Sequence, residues 1–179
     1  MLDNSRKWQP EPDWATASLQ GPTIQVRTVV GVQRLVSGDL DRFRADHAFG
    51  EDVGGLGEAV GERYTVRLAR DRLLAVGLAA SELSAGWHPE GYAVTSVSSA
   101  MRILEMRGAG LRDLLARATT IDPDNPGPSA SMLFCGITSI VYFHADGPAL
   151  RVHVDRGLAA YVWAWLECQP PFSAESRER

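Results

Sequence analysis

Apolar and polar residues follow regular patterns over most of the chain, and the stretch from Tyr92 to Asp122 shows them best. Tyr92–Ser98 and Met101–Met106 are rich in β-branched, aromatic and long apolar residues, with a short turn between them, so they predict a β-hairpin. A helix is expected to begin near Ala109. Its apolar residues recur at positions i, i+3, i+4 and i+7, namely Leu111, Leu114, Leu115 and Ala118.

The first half predicts a ββαββ module over residues 23–90. Strands are expected at Ile24–Val30, Val32–Val36, Tyr64–Leu68 and Arg72–Val76, because apolar and polar residues alternate there or the run is apolar. Asp39 is expected to cap a short helix, with Leu40, Phe43 and His47 along one side of that helix. The boundary between modules is placed in the segment from Ala79 to Glu90.

The second half predicts a ββαβββα module over residues 91–170, followed by a disordered tail at 171–179. After the central helix, strands are expected over residues 130–135, 138–143 and 149–154. In the last strand Arg151 and His153 alternate with apolar residues, so His153 is expected to face solvent. Asp155 is expected to cap a final helix. Its predicted buried stripe is Leu158, Tyr161, Val162 and Trp165, widened by Leu166.

Together these elements predict the fold class α+β: two small modules of antiparallel or mixed sheet, each with helices on one face. Residues 1–22 show no periodicity and contain several prolines, so they predict an extended N-terminal arm. Trp8 and Trp14 are large aromatics within this arm. They are expected either to dock on a partner chain or to pack on the chain's own body.

Charge and cysteine content narrow the class of protein. The chain has 179 residues and a net charge of −4, with scattered rather than clustered arginines, which argues against nucleic acid as a partner. No apolar run approaches the ~20 residues of a membrane span, so we expect a cytoplasmic protein that does not bind membranes. Cys135 and Cys168 form no paired motif, and both are expected to be reduced and structural.

No local motif predicts catalytic, cofactor-binding or metal-binding residues. The glycines of Gly55–Gly61 superficially match a dinucleotide loop, but acidic residues precede them and no βαβ unit surrounds them, so a surface loop is expected. The four histidines lie on separate predicted elements and none has a second ligand at metal-binding spacing; they are His47, His88, His144 and His153. A hydrogen bond between His144 and Asp146 explains that histidine as well as catalysis would.

Several segments in the second half carry a family resemblance. They are Ile103–Gly108, Leu111–Ala116, Thr120–Asp122, Leu150–Val154 and Leu158–Leu166. In order and spacing they resemble the gamma subunit of heterotetrameric sarcosine oxidase, which is itself similar to the folate-binding domain of the glycine-cleavage aminomethyltransferase. The resemblance covers Tyr92–Cys168 well and Tyr64–Val76 weakly.

The resemblance implies a non-catalytic subunit of an oxidoreductase acting on CH–NH donors, within sarcosine catabolism and one-carbon metabolism. It implies partner subunits of the alpha, beta and delta types. FAD, FMN, NAD, tetrahydrofolate and zinc are expected in those partners and none in this chain. A related complex that demethylates N-methyl amines is equally compatible. The alternatives from other classes are a free-standing aminomethyltransferase-like folate-binding protein, a tRNA-modification factor of that superfamily, or a small-ligand binding module.

Overall fold

The described residues form two β-sheets and three helices. The structure is a computed structural model that describes residues 11–79, 81–145, 149–170 and 172. The strands are β1 (Ser18–Gln20), β2 (Gln25–Val29), β3 (Gln33–Gly38), β4 (Glu58–Ala59), β5 (Tyr64–Ala69), β6 (Arg72–Val76), β7 (Gly86–His88), β8 (Tyr92–Ser96), β9 (Met101–Arg107), β10 (Ser131–Phe134), β11 (Ile137–His144) and β12 (Ala149–Asp155). The helices are α1 (Leu40–His47), α2 (Leu111–Ala118) and α3 (Ala159–Glu167), and a 3-10 turn (Arg156–Leu158) precedes α3.

The two sheets lie face to face between layers of helix. The larger sheet has the order β1-β2-β9-β12-β11-β10, with β4 parallel to β11, and the smaller sheet has the order β5-β6-β3-β8-β7. Helices α2 and α3 share one apolar core with the larger sheet, and α1 shares another with the smaller sheet. A third core, including Tyr64, Leu74, Ile140 and Tyr142, lies between the sheets. This arrangement agrees with the predicted α+β class.

The predicted hairpin of Tyr92–Ser98 with Met101–Met106 is wrong. Both segments are strands, but β8 pairs with β3 and β7, whereas β9 pairs with β2 and β12. The carbonyl oxygen of Val97 accepts hydrogen bonds from the backbone nitrogens of Ala100 (3.0 Å) and Met101 (3.1 Å), and this tight turn leads the chain from one sheet into the other. The alternation of apolar residues indicates strands but does not determine which strands pair.

Strand pairing also crosses the boundary that the sequence predicts near residue 90. β2, from the first predicted module, lies in the larger sheet beside β9, and β8, from the second, lies in the smaller sheet beside β3. The division between the two sheets therefore does not coincide with the division between residues 23–90 and 91–170. Each half of the chain thus contributes to the sheet built mainly by the other half.

Three short strands lie where the sequence predicts none. β1 falls in the predicted arm, β4 in the glycine-rich loop and β7 in the predicted boundary segment. Each has only two or three residues, which is too few for a period of two to be visible. Their partners on the neighbouring strands specify them instead, so they depend on tertiary structure.

The first two helices agree with the sequence pattern, and the third differs in phase. The Asp39 side chain accepts a hydrogen bond from the backbone nitrogen of Arg42 at 2.9 Å and so caps α1 as predicted. All four predicted residues of the α2 stripe are buried. In α3 the buried residues are Ala159, Val162, Trp163 and Leu166.

The predicted stripe of α3 is therefore wrong for two of its residues, since Leu158 and Tyr161 are exposed, and Trp165 is only partly buried. Asp155 caps the preceding 3-10 turn by accepting a hydrogen bond from the Gly157 nitrogen at 2.8 Å. A 3-10 turn advances with ~3.0 residues per turn instead of 3.6, so the apolar face is rotated from the position that an uninterrupted α-helix would give.

Among the described residues, no helix has the length and apolar character needed to cross a membrane.

Candidate functional site

A row of polar side chains crosses the inner face of the larger sheet. In the antiparallel register Arg27 of β2 lies opposite Glu105 of β9, Glu105 lies opposite Arg151 of β12, and Arg151 lies opposite Tyr142 of β11. Residues directly opposite one another point to the same side of a sheet. The four side chains therefore form one continuous row, which we call the polar ladder together with its partners Arg107, Tyr64, His153 and Gln33.

Glu105 lies at the arginine-rich end of the polar ladder. Its Oε1 accepts hydrogen bonds from Arg27 Nε (3.0 Å) and Nη2 (2.7 Å) and from Arg107 Nε (3.0 Å), and its Oε2 accepts one from Arg151 Nε (3.1 Å). Burial alone would raise the pKa of Glu105, but the hydrogen bonds from the three arginines outweigh it and lower the pKa to about 2. Glu105 is thus an ionised carboxylate held in a fixed position.

Tyrosine hydroxyls connect this ion-pair cluster to the smaller sheet. Arg151 Nη1 donates to the hydroxyl of Tyr64 on β5 at 2.8 Å, and that hydroxyl lies 2.8 Å from the hydroxyl of Tyr142 on β11. Tyr142 is fully buried, and burial followed by the neighbouring Tyr64 raises its pKa well above the ordinary value. Tyr142 therefore acts as a neutral hydrogen-bonding group between the sheets.

His153 lies at the buried end of the polar ladder. Its Nε2 is 2.7 Å from the Tyr142 hydroxyl and its Nδ1 is 2.6 Å from Oε1 of Gln33, which belongs to β3 of the smaller sheet. An amide oxygen can only accept, so Nδ1 carries the proton and Nε2 accepts from Tyr142. Burial, and then the positive charge of Arg151, lower the pKa of His153 to about 3.

These contacts give the hydrogen bonds of the polar ladder one direction. Arg151 donates to the hydroxyl of Tyr64. Because the hydroxyl proton of Tyr142 goes to His153, Tyr64 must donate to Tyr142. His153 in turn donates to Gln33. A network satisfied in this way holds groups of both sheets in one arrangement. Since both ring nitrogens of His153 are already used, a substrate could reach this histidine only by displacing protein contacts.

The prediction that His153 faces solvent is wrong, because His153 is completely buried. The alternation along β12 correctly separates two faces, but the smaller sheet covers the face that carries Arg151 and His153. Tyr64 and Tyr142 are the sequence signal that could have indicated a buried polar site, because aromatic residues with a polar tip are suited to a buried polar contact. Their pairing with His153 spans long sequence separations and was not visible locally.

Two of the other three histidines contact the same tyrosine, whereas His144 contacts a backbone carbonyl oxygen. His47 Nε2 lies 3.2 Å from the Tyr92 hydroxyl, His88 stacks on the Tyr92 ring with centroids 4.8 Å apart, and His144 Nε2 lies 2.8 Å from the Gly61 carbonyl oxygen. Asp146, the predicted neighbour of His144, lies outside the described residues. Across the parts of the chain that the structure describes, no group of three or more His, Cys, Asp or Glu side chains could hold a metal ion.

Both cysteines are free, and Ser96 and Ser98 form hydrogen bonds within the protein. Burial raises the pKa of the Cys135 thiol to about 11, which disfavours the reactive thiolate, and Cys168 is exposed. The Ser98 hydroxyl accepts from the backbone nitrogen of Gln33 (2.9 Å) and donates to its carbonyl oxygen (3.3 Å). The Ser96 hydroxyl accepts from Arg34 Nη1.

Of the two tryptophans predicted to dock on a partner, only Trp14 lies within the described residues. Trp14 packs edge-on against Trp163 of α3 with centroids 5.8 Å apart, and the guanidinium of Arg102 lies 5.7 Å from its ring centroid. Its backbone oxygen accepts a 2.7 Å hydrogen bond from the Thr28 hydroxyl. Trp14 thus packs on the chain's own body, and the prediction that it docks on a partner stays a prediction. Trp8 lies outside the described residues.

The glycine-rich loop packs against the chain's own backbone. A Cβ atom on Gly54 would lie 2.2 Å from the carbonyl oxygen of Gly127, and one on Gly55 would lie 2.3 Å from that of Ser129. Leu56 and Ala59 are buried, so this segment is only partly the surface loop that the sequence predicts. These glycines permit close approach of two backbone segments, and the space in front of Gly54 and Gly55 is occupied by protein.

The fold and this site define an α+β protein of two opposed sheets, with helices on the outer faces and a hydrogen-bonded polar ladder between the sheets. The chain belongs to the sarcosine oxidase gamma subunit family, whose model matches residues 59–172. This confirms the family predicted from the sequence, and with it the interpretation as a gamma-type subunit. No curated protein matches the sequence.

A solved structure with a similar fold is a chain of heterotetrameric sarcosine oxidase from Corynebacterium sp. U-96, in complex with pyrrole 2-carboxylate. The TM-score is 0.64 at 15% sequence identity, and the match covers 80% of this chain and 81% of that chain. At this identity the likeness shows a shared fold.

Proposed function

We propose that this chain is the gamma-type subunit of a heteromeric, flavin-dependent sarcosine oxidase or a related N-methyl-amine demethylating oxidase, and that it works by stabilising the assembly rather than by catalysis. The observation that carries the proposal is the family match over residues 59–172. The fold shared with a chain of a heterotetrameric sarcosine oxidase supports it. The partners are then other subunits of such a complex, which we assign to the alpha, beta and delta types.

The chemistry of the polar ladder supports a positional role. His153 is neutral and hydrogen-bonded at both nitrogens, and Glu105 is ionised and held by three arginines. Neither group is poised to exchange a proton with a substrate near neutral pH, since the pKa of each lies at about 3 or below. The polar ladder instead fixes the relative position of the two sheets.

A fixed body is a favourable docking partner. Association costs free energy when side chains and loops must be ordered, and a surface that is ordered before binding avoids much of this cost. Because the polar ladder joins strands from both sheets, surfaces on either sheet are presented in a constant relative orientation. The subunit would thereby support the shape of larger partners.

Two features of the described residues support the assignment of the cofactors to other subunits. A nucleotide needs backbone nitrogens open to its phosphates, whereas Gly54 and Gly55 face the carbonyl oxygens of residues 127–129. Tyr64, Tyr142 and His153 fill the space between the sheets. We therefore assign FAD, FMN, NAD, tetrahydrofolate and zinc to the partner subunits.

Co-expression of an affinity-tagged form of this chain with the other subunits encoded beside it tests the proposal. We expect the partners and their flavin absorbance to be retained with the tag, and omission of this chain to lower the yield or thermal stability of the remaining complex. Purification of this chain alone, with saturable binding of tetrahydrofolate, would instead favour the free-standing folate-binding alternative.

A further inference from the structure

The inner face of the larger sheet extends beyond the smaller sheet. Register places Gln20 opposite Gln25, and Gln25 opposite Arg107, so these side chains point to the same side of the sheet as Arg27 and Tyr142. Gln20, Gln25 and Arg27 are exposed, in contrast to the buried Tyr142. We call the surface formed by Gln20, Gln25, Arg27 and Arg107 the arginine shelf.

Arg27 is the most accessible cation of this shelf and is held in place from below. Its side chain is 63% exposed, while the Glu105 side chain that it contacts is 0% exposed. Nε and Nη2 of Arg27 both bond to Glu105 Oε1, and Nη1 makes no hydrogen bond among the described residues. The outer edge of this guanidinium is therefore presented to solvent in an ordered position, the geometry that suits a second carboxylate.

Among the described residues, the arginine shelf and the adjoining part of the polar ladder carry more positive than negative charge. Glu105 supplies one negative charge, and Arg27 and Arg151 together already supply two positive charges, even with Arg107 set aside. The other side-chain partner of Arg151 is the hydroxyl of Tyr64. Because the pKa of Glu105 is about 2, this imbalance does not depend on pH near neutrality. It stands out on a chain whose net charge is −4.

The shape of the shelf suits an extended segment. Gln20, Gln25, Val26, Arg27 and Arg107 line an open cleft of about 350 Å³, and a second cleft of about 430 Å³ shares Gln25 and Arg107 and continues past Thr23 and Gly108. Small-molecule sites usually bury ~70–90% of their ligand, which a shelf with a mostly exposed Arg27 does not do. The glutamine amides can bond to the backbone of a peptide laid along it.

We propose that the arginine shelf docks an acidic segment of a partner subunit, with an aspartate or glutamate carboxylate bound by Arg27. This inference rests on the proposed function, because it takes the partner from the same complex. Charge complementarity carries it: a preordered guanidinium and a local positive excess favour an acidic partner.

The test measures binding of the full chain to the other subunits purified without it, at roughly 50 mM and roughly 500 mM salt. We expect Arg27→Glu to weaken binding at least about tenfold at the lower concentration, with a smaller loss for Arg27→Gln, and we expect the difference from wild type to shrink at the higher one. The matched control is Arg42→Glu, which makes the same charge change at a 58% exposed arginine on α1 that pairs with Asp46. This control should bind as wild type does.

The outcomes separate the two proposals. Wild-type chain that does not bind the other subunits overturns the proposed function. Wild-type chain that binds while Arg27→Glu and Arg27→Gln bind within about twofold of it overturns the shelf and leaves the function standing. Thermal melting of each variant shows that it is folded, and Arg27→Gln carries the test if Arg27→Glu is not.

Discussion

The inner face of the larger sheet has two halves that carry similar residues in different surroundings. In one half, Tyr142 and His153 are covered by the smaller sheet and use their polar atoms within the protein. In the other half, Arg27 is mostly exposed, although it belongs to the same row of side chains. Comparison of the two halves shows that a polar side chain in an alternating strand can form a buried hydrogen bond or belong to an exposed surface. Which of the two it does depends on whether the smaller sheet covers it.

The largest expected effect on stability comes from substitution of Glu105, which lies where the two halves meet. Glu105→Gln removes the one carboxylate that Arg27, Arg107 and Arg151 share, and Arg151 is left largely buried without its counter-charge. We expect the unfolding free energy to fall by about 3–5 kcal/mol, as measured by urea denaturation. The control Glu82→Gln breaks an exposed ion pair with Arg63 and should cost less than about 1 kcal/mol. Equal losses in both variants would show that Glu105 has no special role.

Acid should destabilise the covered half through His153. The folded protein keeps His153 neutral down to a pKa of about 3, whereas the ordinary value in an unfolded chain is 6.5. The stabilisation is therefore complete above pH 6.5 and is lost as the pH falls towards 3, at up to about 1.4 kcal/mol per pH unit. Denaturation between pH 6.5 and 5 should show this slope in the wild type and lose it in His153→Gln. An unchanged slope in the variant would assign the effect to other groups.

A smaller loss is expected from removal of a single hydroxyl of the polar ladder. Tyr142→Phe leaves Nε2 of His153 without its donor and the hydroxyl of Tyr64 without its acceptor, while Arg151 still donates to that hydroxyl. We therefore expect a loss of about 1–3 kcal/mol. The matched control is Tyr161→Phe, which removes a hydroxyl that donates to the Cys135 carbonyl oxygen from a half-exposed ring. A larger loss for Tyr161→Phe than for Tyr142→Phe in chemical denaturation would contradict this role of the Tyr142 hydroxyl.

The smallest effect on stability is expected in the open half. Arg27→Ala removes only one of the three arginines that hold the buried Glu105, and the one that is 63% exposed, so we expect a loss of about 1 kcal/mol. The isolated variant should therefore melt close to wild type. A larger drop in the melting temperature would show that Arg27 helps to hold the two sheets together and is not simply part of an exposed binding surface.

Local sequence was sufficient where short-range contacts determine structure. The cap of Asp39 on α1 and the buried stripe of α2 depend on residues within a few positions of one another, and both follow from the spacing. The family could also be predicted, since the order of the segments in the second half identifies it.

Local sequence was insufficient where distant segments determine structure. Nothing near β8 or β9 specifies their different sheets, and the burial of His153 depends on Gln33, which is 120 positions away in sequence. The phase of α3 depends on a 3-10 turn, so Trp163 rather than Trp165 became the buried tryptophan. The polar ladder assembles from six strands and has no contiguous motif.

The native mass of the complex purified through this chain tests the central claim most directly, namely that the chain is an assembly subunit. We predict a species that contains the 19.5 kDa chain together with larger, flavin-bearing partners. A single species at 19.5 kDa, obtained while all the partner subunits are present at comparable concentration, would contradict that claim.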